Sequence, residues 1–167
     1  MKLYTVIDNG SGSLAIAPHP SSGSSLHFDV EYWAESGIDT VVSLLTETEE
    51  QELDLSNERT VVAKHGMTFR SFAVPDMRVP QALPAFCELA TEIAHLIRRK
   101  RRILVHCWAG IGRSGLLASA VLVLMGHDPE TVFDLVTKVR GESVPDNQDQ
   151  VDWFSDKIVP HLTNINC

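Results

Sequence analysis

Short apolar runs alternate with longer amphipathic stretches along this chain. Five runs rich in Val, Ile and Leu predict strands over residues 4–7, 14–17, 40–45, 68–74 and 103–106. Apolar residues spaced three and four apart predict helices over residues 26–37, 81–100 and 147–162, with a short exposed helix over 47–52. A buried helix is predicted up to Gly126, and another follows with Asp128 as N-cap, Pro129 at its first position and Gly141 beyond its end.

The order of these elements predicts the fold class. Strands alternate with helices before an all-helical C-terminal third, as in α/β proteins. The run 103–106 is almost wholly apolar, which is typical of a central strand covered on both faces. We therefore expect an α/β fold with a largely parallel central sheet of about five strands flanked by helices. No linker or repeat divides the 167 residues, so a single domain over 1–167 is predicted.

The bulk composition narrows the possible partners and cofactors. Hydrophobic residues make up 44% of the chain and charged residues 22%, and the net charge of −8 argues against nucleic-acid or stable membrane binding. No apolar stretch has the length of a signal peptide or a membrane span. Three widely spaced cysteines and seven histidines form no disulfide or metal-binding pattern. We expect a cytoplasmic protein that needs no metal or other cofactor.

A basic cluster at residues 98–102 stands out against this acidic total. It precedes the strand at 103–106, and four residues of strand span about 13 Å. The cluster is therefore predicted at the sheet edge opposite to the end of that strand. Positive charge is favourable at a helix C-terminus, so we interpret the cluster as a solvated helix end.

The strongest chemical pattern is LVHCWAGIGRSG, residues 104–115. It runs from the predicted central strand through a glycine-spaced loop into a helix, at the edge where α/β proteins bind ligands. An ordinary glycine-rich turn beside a buried cysteine is one interpretation. The three glycines also satisfy the dinucleotide-binding spacing, but that motif needs a later strand ending in an acidic residue, and residues 131–139 predict a helix.

A third interpretation accounts for every residue of the loop. Five residues separate Cys107 from Arg113, so the backbone can curl with its N–H groups inward, and Gly110 and Gly112 permit the positive φ angles of such a curl. The following helix N-terminus favours an anion, and Arg113 can grip two oxygens of a phosphate. The same donors favour the thiolate of Cys107, since such surroundings lower a cysteine pKa to about 3.5–7.5.

The string HCWAGIGRSG resembles the active-site loop of the cysteine-dependent protein tyrosine phosphatase superfamily. The stretches LAIAPHP, GIDTVVSLL and residues 126–150 are similar to its compact dual-specificity group, so the resemblance covers most of the chain. It implies a phosphocysteine intermediate on Cys107 and phosphate binding by Arg113. The phosphate loop that it implies consists of Trp108, Ala109, Gly110, Ile111, Gly112 and Arg113.

The resemblance implies two further catalytic residues. Asp76, in FAVPDMRVP, is the candidate general acid that protonates the leaving group, although Pro-Asp is also ordinary turn chemistry. Ser114 either caps the helix or also stabilises the Cys107 thiolate as it leaves the intermediate, and the two roles are compatible.

Supporting roles are predicted around the loop. His106 is expected to be buried and to brace the loop through hydrogen bonds. Gln150, or alternatively Gln148, aligns with a glutamine that orients the hydrolytic water in relatives. Trp108 either lines the rim of the pocket or packs beneath the loop. Cys87 is interpreted as core, and Cys167 as exposed and incidental.

These features together predict a phosphoric monoester hydrolase of the protein-tyrosine or dual-specificity phosphatase kind. Its expected partner is a phosphorylated protein or peptide carrying phosphotyrosine, with phosphoserine or phosphothreonine as further candidates. A phosphoinositide or small-molecule phosphatase is one alternative, although the uncharged residues WAGIG favour a singly phosphorylated group. A pseudophosphatase that binds phosphate without turnover is another, although Cys107, Arg113 and Asp76 are all present.

Overall fold

Strands and helices alternate through the first part of the chain, and helices alone form its last third. A computed structural model describes residues 2–10 and 12–165. A 3-10 turn (Gly23–Ser25) precedes the first helix, and a π-helical turn (Phe154–Ile158) joins the last two. The remaining elements are β1 (Tyr4–Asp8), β2 (Ser13–Ala17), α1 (Leu26–Glu35), β3 (Thr40–Ser43), α2 (Glu47–Glu52), α3 (Glu58–Lys64), β4 (Thr68–Ser71), α4 (Leu83–Arg98), β5 (Arg102–His106), α5 (Gly112–Leu124), α6 (Val132–Arg140), α7 (Gln148–Trp153) and α8 (Val159–Ile165).

The central sheet has the strand order β1-β2-β5-β3-β4. Strands β2, β5, β3 and β4 are parallel to one another, and β1 at the edge runs antiparallel to β2. The predicted α/β fold with a largely parallel five-stranded sheet is confirmed. Because β5 lies between β2 and β3, its carboxyl end opens at the middle of the sheet edge.

Alternating residues of β5 face two separate core layers. Ile103 and Val105 pack with α4, α5 and the C-terminal helices, whereas Leu104 packs with α1 and α3 on the other face. All three residues are fully buried. A parallel strand covered on both faces has no solvated side, which explains why its sequence lacks the polar alternation of an edge strand.

Helix α5 lies in the core directly behind the loop that follows β5. Every residue of α5 from Gly112 to Leu122 is buried, so the predicted buried helix is confirmed. Within residues 2–10 and 12–165, no helix combines the length and the hydropathy that crossing a bilayer requires.

Strands β3 and β4 end earlier than the apolar pattern predicts, at Ser43 and Ser71. Pairing nevertheless continues irregularly beyond them, since Phe72 N–H donates to Ser43 O at 2.9 Å and Val74 N–H donates to Leu44 O at 3.1 Å. The apolar runs therefore extend past the regular ladder into the connections that carry the site.

The predicted start of α6 is wrong. The Asp128 carboxylate accepts the Glu130 N–H at 3.0 Å, and its carbonyl accepts the Thr131 N–H at 3.0 Å. These bonds close a separate turn around Pro129, so the helix begins only after Thr131. Its predicted end is confirmed, because Gly141 adopts a φ of 81° there.

Two other helical predictions need correction. The pattern over 147–162 predicts one regular helix, but a π-helical turn interrupts it at Phe154–Ile158. Helix α3 was not predicted from the sequence, and its seven residues bury only Glu58 and Val62.

Candidate functional site

Cys107 follows β5 at the centre of the sheet's carboxyl edge. The residue is 2% exposed, and its Sγ lies 3.4 Å from Ser114 Oγ in the first turn of α5. A hydroxyl at this position can donate a hydrogen bond to an ionised sulfur. The strand and the helix thus bring the predicted nucleophile and the predicted serine together.

The carbonyl groups of the loop after Cys107 are held on its outer side. Trp108 O accepts the His19 N–H at 3.1 Å, and Arg140 of α6 donates from Nη2 to Ala109 O at 3.1 Å and from Nε to Gly110 O at 3.0 Å. In a planar trans peptide the N–H points away from the C=O. The N–H groups that follow these three carbonyls therefore face the inside of the curl.

The two glycines of the loop serve different purposes. Gly110 adopts a φ of 69°, and a Cβ there would lie 2.5 Å from the Ala17 carbonyl carbon. Gly112 does not adopt the predicted positive φ. It lacks a side chain because Asp146 Oδ2 and Gln150 Oε1 pack directly against it, where a Cβ would overlap the Asp146 carboxylate.

Arg113 connects the loop to two neighbouring connections. Its Nη1 and Nη2 lie 2.9 Å from Glu49 Oε2 and Oε1, respectively, which is a bidentate ion pair. Nη1 also donates to Val74 O at 2.8 Å, and Nη2 donates to Asp76 Oδ1 at 2.9 Å. The guanidinium is fully buried, so its orientation is fixed by these partners.

The charges of this cluster reinforce one another. Desolvation lowers the pKa of Arg113, but its hydrogen bonds to Glu49 and the charges of Cys107, Glu49 and Asp76 outweigh this effect and raise the pKa. Desolvation likewise raises the pKa of Glu49, yet the bonds from Arg113 and from Thr46 hold it below its usual value. Both groups of the pair are therefore stabilised in their charged forms.

Asp76 lies in the connection between β4 and α4, as the sequence predicts. Its side chain is 55% exposed, and one carboxylate oxygen meets Arg113 at 2.9 Å. The next residue, Met77, adopts a left-handed φ of 55°, and its carbonyl accepts a hydrogen bond from Asn147 Nδ2 at 3.1 Å. The connection is thus fastened to the start of α7 beside the loop.

His106 is fully buried, as predicted, but its side chain does not brace the loop by hydrogen bonds. Its Nε2 lies 2.9 Å from Glu58 Oε1, at ion-pair distance. The geometry does not satisfy a hydrogen bond, and neither ring nitrogen has a hydrogen-bond partner among the described residues. The physical reason is that α3, a helix that was not predicted, places the buried Glu58 carboxylate against the ring.

The two candidate glutamines lie in different surroundings. Gln150 is fully buried beside the loop, where Oε1 accepts the Asp146 N–H and Nε2 donates to Arg78 O, each at 3.1 Å. Gln148 is exposed and donates to Asp152 at 2.8 Å. Of the two, only Gln150 contacts the loop.

The remaining predicted residues fall at the rim, in the core and at the far edge. Trp108 is 39% exposed and meets the His19 ring edge-on at 5.7 Å between centroids, so it lies at the rim and not beneath the loop.

Cys87 is buried in α4, and burial raises its pKa to about 11. Arg101 of the basic cluster pairs with Asp39 at 2.7 Å, at the edge opposite to Cys107. Cys167 lies outside the described residues.

Glu49 and Arg140 are two residues of the site that were not predicted from the sequence. Glu49 had a recognisable pattern, because Thr46 and Glu49 form a capping box at the start of α2, directly after a predicted strand of the same sheet edge. Arg140 had none, since a basic residue before a helix-ending glycine is ordinary.

Comparison with known proteins places this geometry in a family. A family model described as "Polymorphic toxin system, DSP-PTPase phosphatase" matches residues 17–127. Cyclin-dependent kinase inhibitor 3 of Sus scrofa is 26% identical over 141 residues, covering 81% of this chain and 66% of that protein. Tyrosine-protein phosphatase non-receptor type 5 of Rattus norvegicus is 28% identical over 116 residues, covering 64% of this chain and 31% of that protein.

A solved structure shows the same fold. A crystal structure of kinase associated phosphatase, with its catalytic-site cysteine substituted by serine, matches with a TM-score of 0.84 and 22% identity over 96% of this chain and 97% of that chain. The chain itself spans about two thirds of the length of cyclin-dependent kinase inhibitor 3. The resemblance found in the sequence is confirmed, and this chain belongs to the DSP-PTPase phosphatase family.

Proposed function

We propose that this protein is a cysteine-dependent phosphomonoester hydrolase that acts on phosphoproteins. In this proposal Cys107 is the nucleophile, Arg113 binds the phosphate and Asp76 is the general acid. The observation that carries it is the convergence of these groups from two connections of one sheet edge, the one after β5 and the one after β4. Ser114 Oγ lies 3.4 Å from the sulfur, and Arg113 joins the loop to Asp76 at 2.9 Å.

Substrate binding follows from the donors of the loop. The inward N–H groups of residues 109–111 and the N-terminus of α5 bind the phosphate oxygens. A phosphate oxygen accepts a hydrogen bond from the Arg113 N–H that otherwise donates to Asp76. The Asp76 carboxyl is then free to face the leaving group. Glu49 keeps the guanidinium in place during this exchange, because its two hydrogen bonds of 2.9 Å come from N–H groups of Arg113 other than the one that binds Asp76.

The first chemical step forms the S–P bond of a phosphocysteine. The Cys107 thiolate attacks phosphorus while the bond from phosphorus to the leaving oxygen breaks. Asp76 gives its proton to that oxygen, so the leaving group departs as a neutral alcohol or phenol.

The second step hydrolyses the intermediate. Water attacks phosphorus and gives one proton to the Asp76 carboxylate, while the electron pair of the S–P bond returns to Cys107 Sγ. Ser114 Oγ donates to the departing sulfur, which stabilises the thiolate. Gln150, buried against Gly112, positions the water.

The substrate class follows from the charge of the loop. The residues between Cys107 and Arg113 carry no charge, which favours a singly phosphorylated group such as phosphotyrosine over a multiply phosphorylated headgroup. The relatives include a tyrosine-protein phosphatase, which favours the same group. We further propose a single catalytic domain over 1–167, a cytoplasmic location and a phosphorylated protein or peptide as the partner.

Hydrolysis of p-nitrophenyl phosphate in excess chelator tests the proposal. Wild type and the core variant Cys87→Ser should turn over, and Cys107→Ser should not. A phosphotyrosyl peptide should be a better substrate than a phosphoinositide. Turnover that Cys107→Ser retains, or that the chelator abolishes, would overturn the proposal.

A further inference from the structure

Asp76 lies in a tight turn of the connection between β4 and α4. The Arg78 N–H donates to Pro75 O at 3.2 Å, so residues 75–78 form a β-turn with Asp76 at its second position. Met77, at the third position, has a φ of 55°. A positive φ there is typical of type II turns, which prefer glycine because other side chains disfavour the left-handed region. The direction of the Asp76 side chain therefore depends on a backbone conformation that methionine rarely adopts.

Two side-chain amides of α7 hold this turn. Asn147 Nδ2 donates to Met77 O at 3.1 Å, and Gln150 Nε2 donates to Arg78 O at 3.1 Å. The Asn147 side chain also caps α7, since its Oδ1 accepts the Gln150 N–H at 3.0 Å. One amide thus joins the turn to the helix. A strained backbone conformation persists where its surroundings fix it, and the bond from Asn147 fixes the carbonyl of the strained residue itself.

Substrate binding removes the side-chain contact that holds Asp76. Its Oδ1 accepts from Arg113 Nη2 at 2.9 Å, and in the proposed mechanism a phosphate oxygen takes over this N–H. The Asp76 side chain is 55% exposed, so its direction is then set by the backbone of the turn. A general acid has to lie within hydrogen-bond reach of the leaving oxygen. The conformation of Met77 therefore matters most at the moment when the ion pair is broken.

We propose that Asn147 is a positioning residue for the general acid, which rests on the proposed function. By holding Met77 in the left-handed conformation, Asn147 keeps the Asp76 carboxyl directed at the leaving group after phosphate has displaced it from Arg113. Without this bond, Met77 should relax to a negative φ, and the carboxyl should leave the position from which it donates. Phosphate binding should not change, because the bonds of Arg113 to Glu49 do not involve Asn147.

Aryl phosphates with different leaving groups test this role. Asn147→Ser keeps a neutral residue that caps helices equally well, but its shorter side chain does not reach Met77 O. Its kcat/KM for phenyl phosphate should fall about tenfold, which is part of the roughly hundredfold contribution of a general acid. The fall should be smaller for p-nitrophenyl phosphate, because p-nitrophenolate leaves with less help from a proton. Vanadate affinity should equal that of wild type.

A second variant separates the lost hydrogen bond from the change of side-chain size. Asn147→Asp keeps the shape and the cap but has no N–H to donate to Met77 O, so it should show the same dependence on the leaving group. Gln148→Ser and Gln148→Glu are the matched controls, because Gln148 is exposed and its amide donates within α7, to Asp152. Both controls should keep the wild-type ratio of the two kcat/KM values.

The pattern of rates decides between positioning and a purely structural role. An equal fall of kcat/KM for both aryl phosphates, weaker vanadate binding by Asn147→Ser, or rates equal to those of the Gln148 controls would overturn the role of Asn147. Urea unfolding should show that each variant is folded under the assay conditions. Turnover of phenyl phosphate that Cys107→Ser retains would instead refute the proposed function.

Discussion

Glu49 holds both terminal nitrogens of Arg113 at 2.9 Å, across 64 positions of the chain. The carboxylate is itself fixed, since Thr46 N–H donates to Glu49 Oε2 at 2.8 Å and closes the capping box of α2. The arginine that we propose as the phosphate-binding residue is thus oriented before any phosphate arrives. Such preorganisation removes the cost of immobilising a long side chain during binding.

Replacing Glu49 by Gln should lower kcat/KM by about ten- to a hundredfold, because the fork of Arg113 loses its fixed orientation. The variant should also bind vanadate more weakly. Glu52→Gln, on the exposed side of the same helix, is the control and should behave as wild type. Equal vanadate affinity in the two variants would contradict a positioning role for Glu49.

The pH dependence of stability should report the same ion pair. The pKa of Glu49 is lowered in the folded state, so the pair contributes stability above the usual pKa of 4.5, and this contribution is lost as the pH falls through the lower folded value. Wild type should be more stable than Glu49→Gln at neutral pH, with a difference of about 3 kcal/mol. Urea unfolding at several pH values should show this difference shrinking below about pH 4.5. A constant difference across that range would argue against the pair.

Arg140→Lys should also reduce kcat/KM, by about tenfold, although the charge is kept. A lysine cannot donate to Ala109 O and Gly110 O with one planar fork, so the loop loses the bonds that turn its N–H groups inward. Lys138→Ala, which removes an exposed charge from the same helix, should leave the rate unchanged. Full activity of Arg140→Lys would contradict this prediction, because the loop would then keep its conformation without the Arg140 hydrogen bonds to Ala109 O and Gly110 O.

Alkylation should distinguish the two described cysteines. Burial raises the pKa of Cys87 to about 11, so its thiol should not react with iodoacetate near neutral pH. Cys107 should react, because the proposed loop binds the anionic reagent beside the Cys107 sulfur. Vanadate should protect Cys107 by occupying the same loop. Peptide mapping measures each site separately, with denatured protein as the control. Equal labelling of Cys87 and Cys107 in the folded protein would contradict this assignment.

Local patterns were sufficient to predict much of the site. The strand, the loop and the helix around Cys107 are consecutive in sequence. The connection that carries Asp76 opens at the same sheet edge, because β4 runs parallel to β5 with β3 between them. The apolar sequence of β5 predicted a central strand, because a strand covered on both faces has no solvent-facing positions for polar side chains.

The contacts that the sequence could not predict join distant positions. The Arg113–Glu49 pair and the bond from Arg140 to Gly110 depend on how helices pack on the sheet, and no spacing within one element encodes them. Gly112 illustrates the same limit. Its lack of a side chain is explained by Asp146 from a later connection and not by its own φ angle.

The most direct test of the account is to identify the residue that carries the phosphoryl group during turnover. Wild type is mixed with a phosphotyrosyl peptide, quenched in acid within the first turnover, digested and examined by mass spectrometry. The account predicts one phosphoryl group, on the peptide that contains Cys107, and none in Cys107→Ser. A phosphoryl group on any other residue, or full turnover with no phosphoryl group on Cys107 at any time, would contradict it.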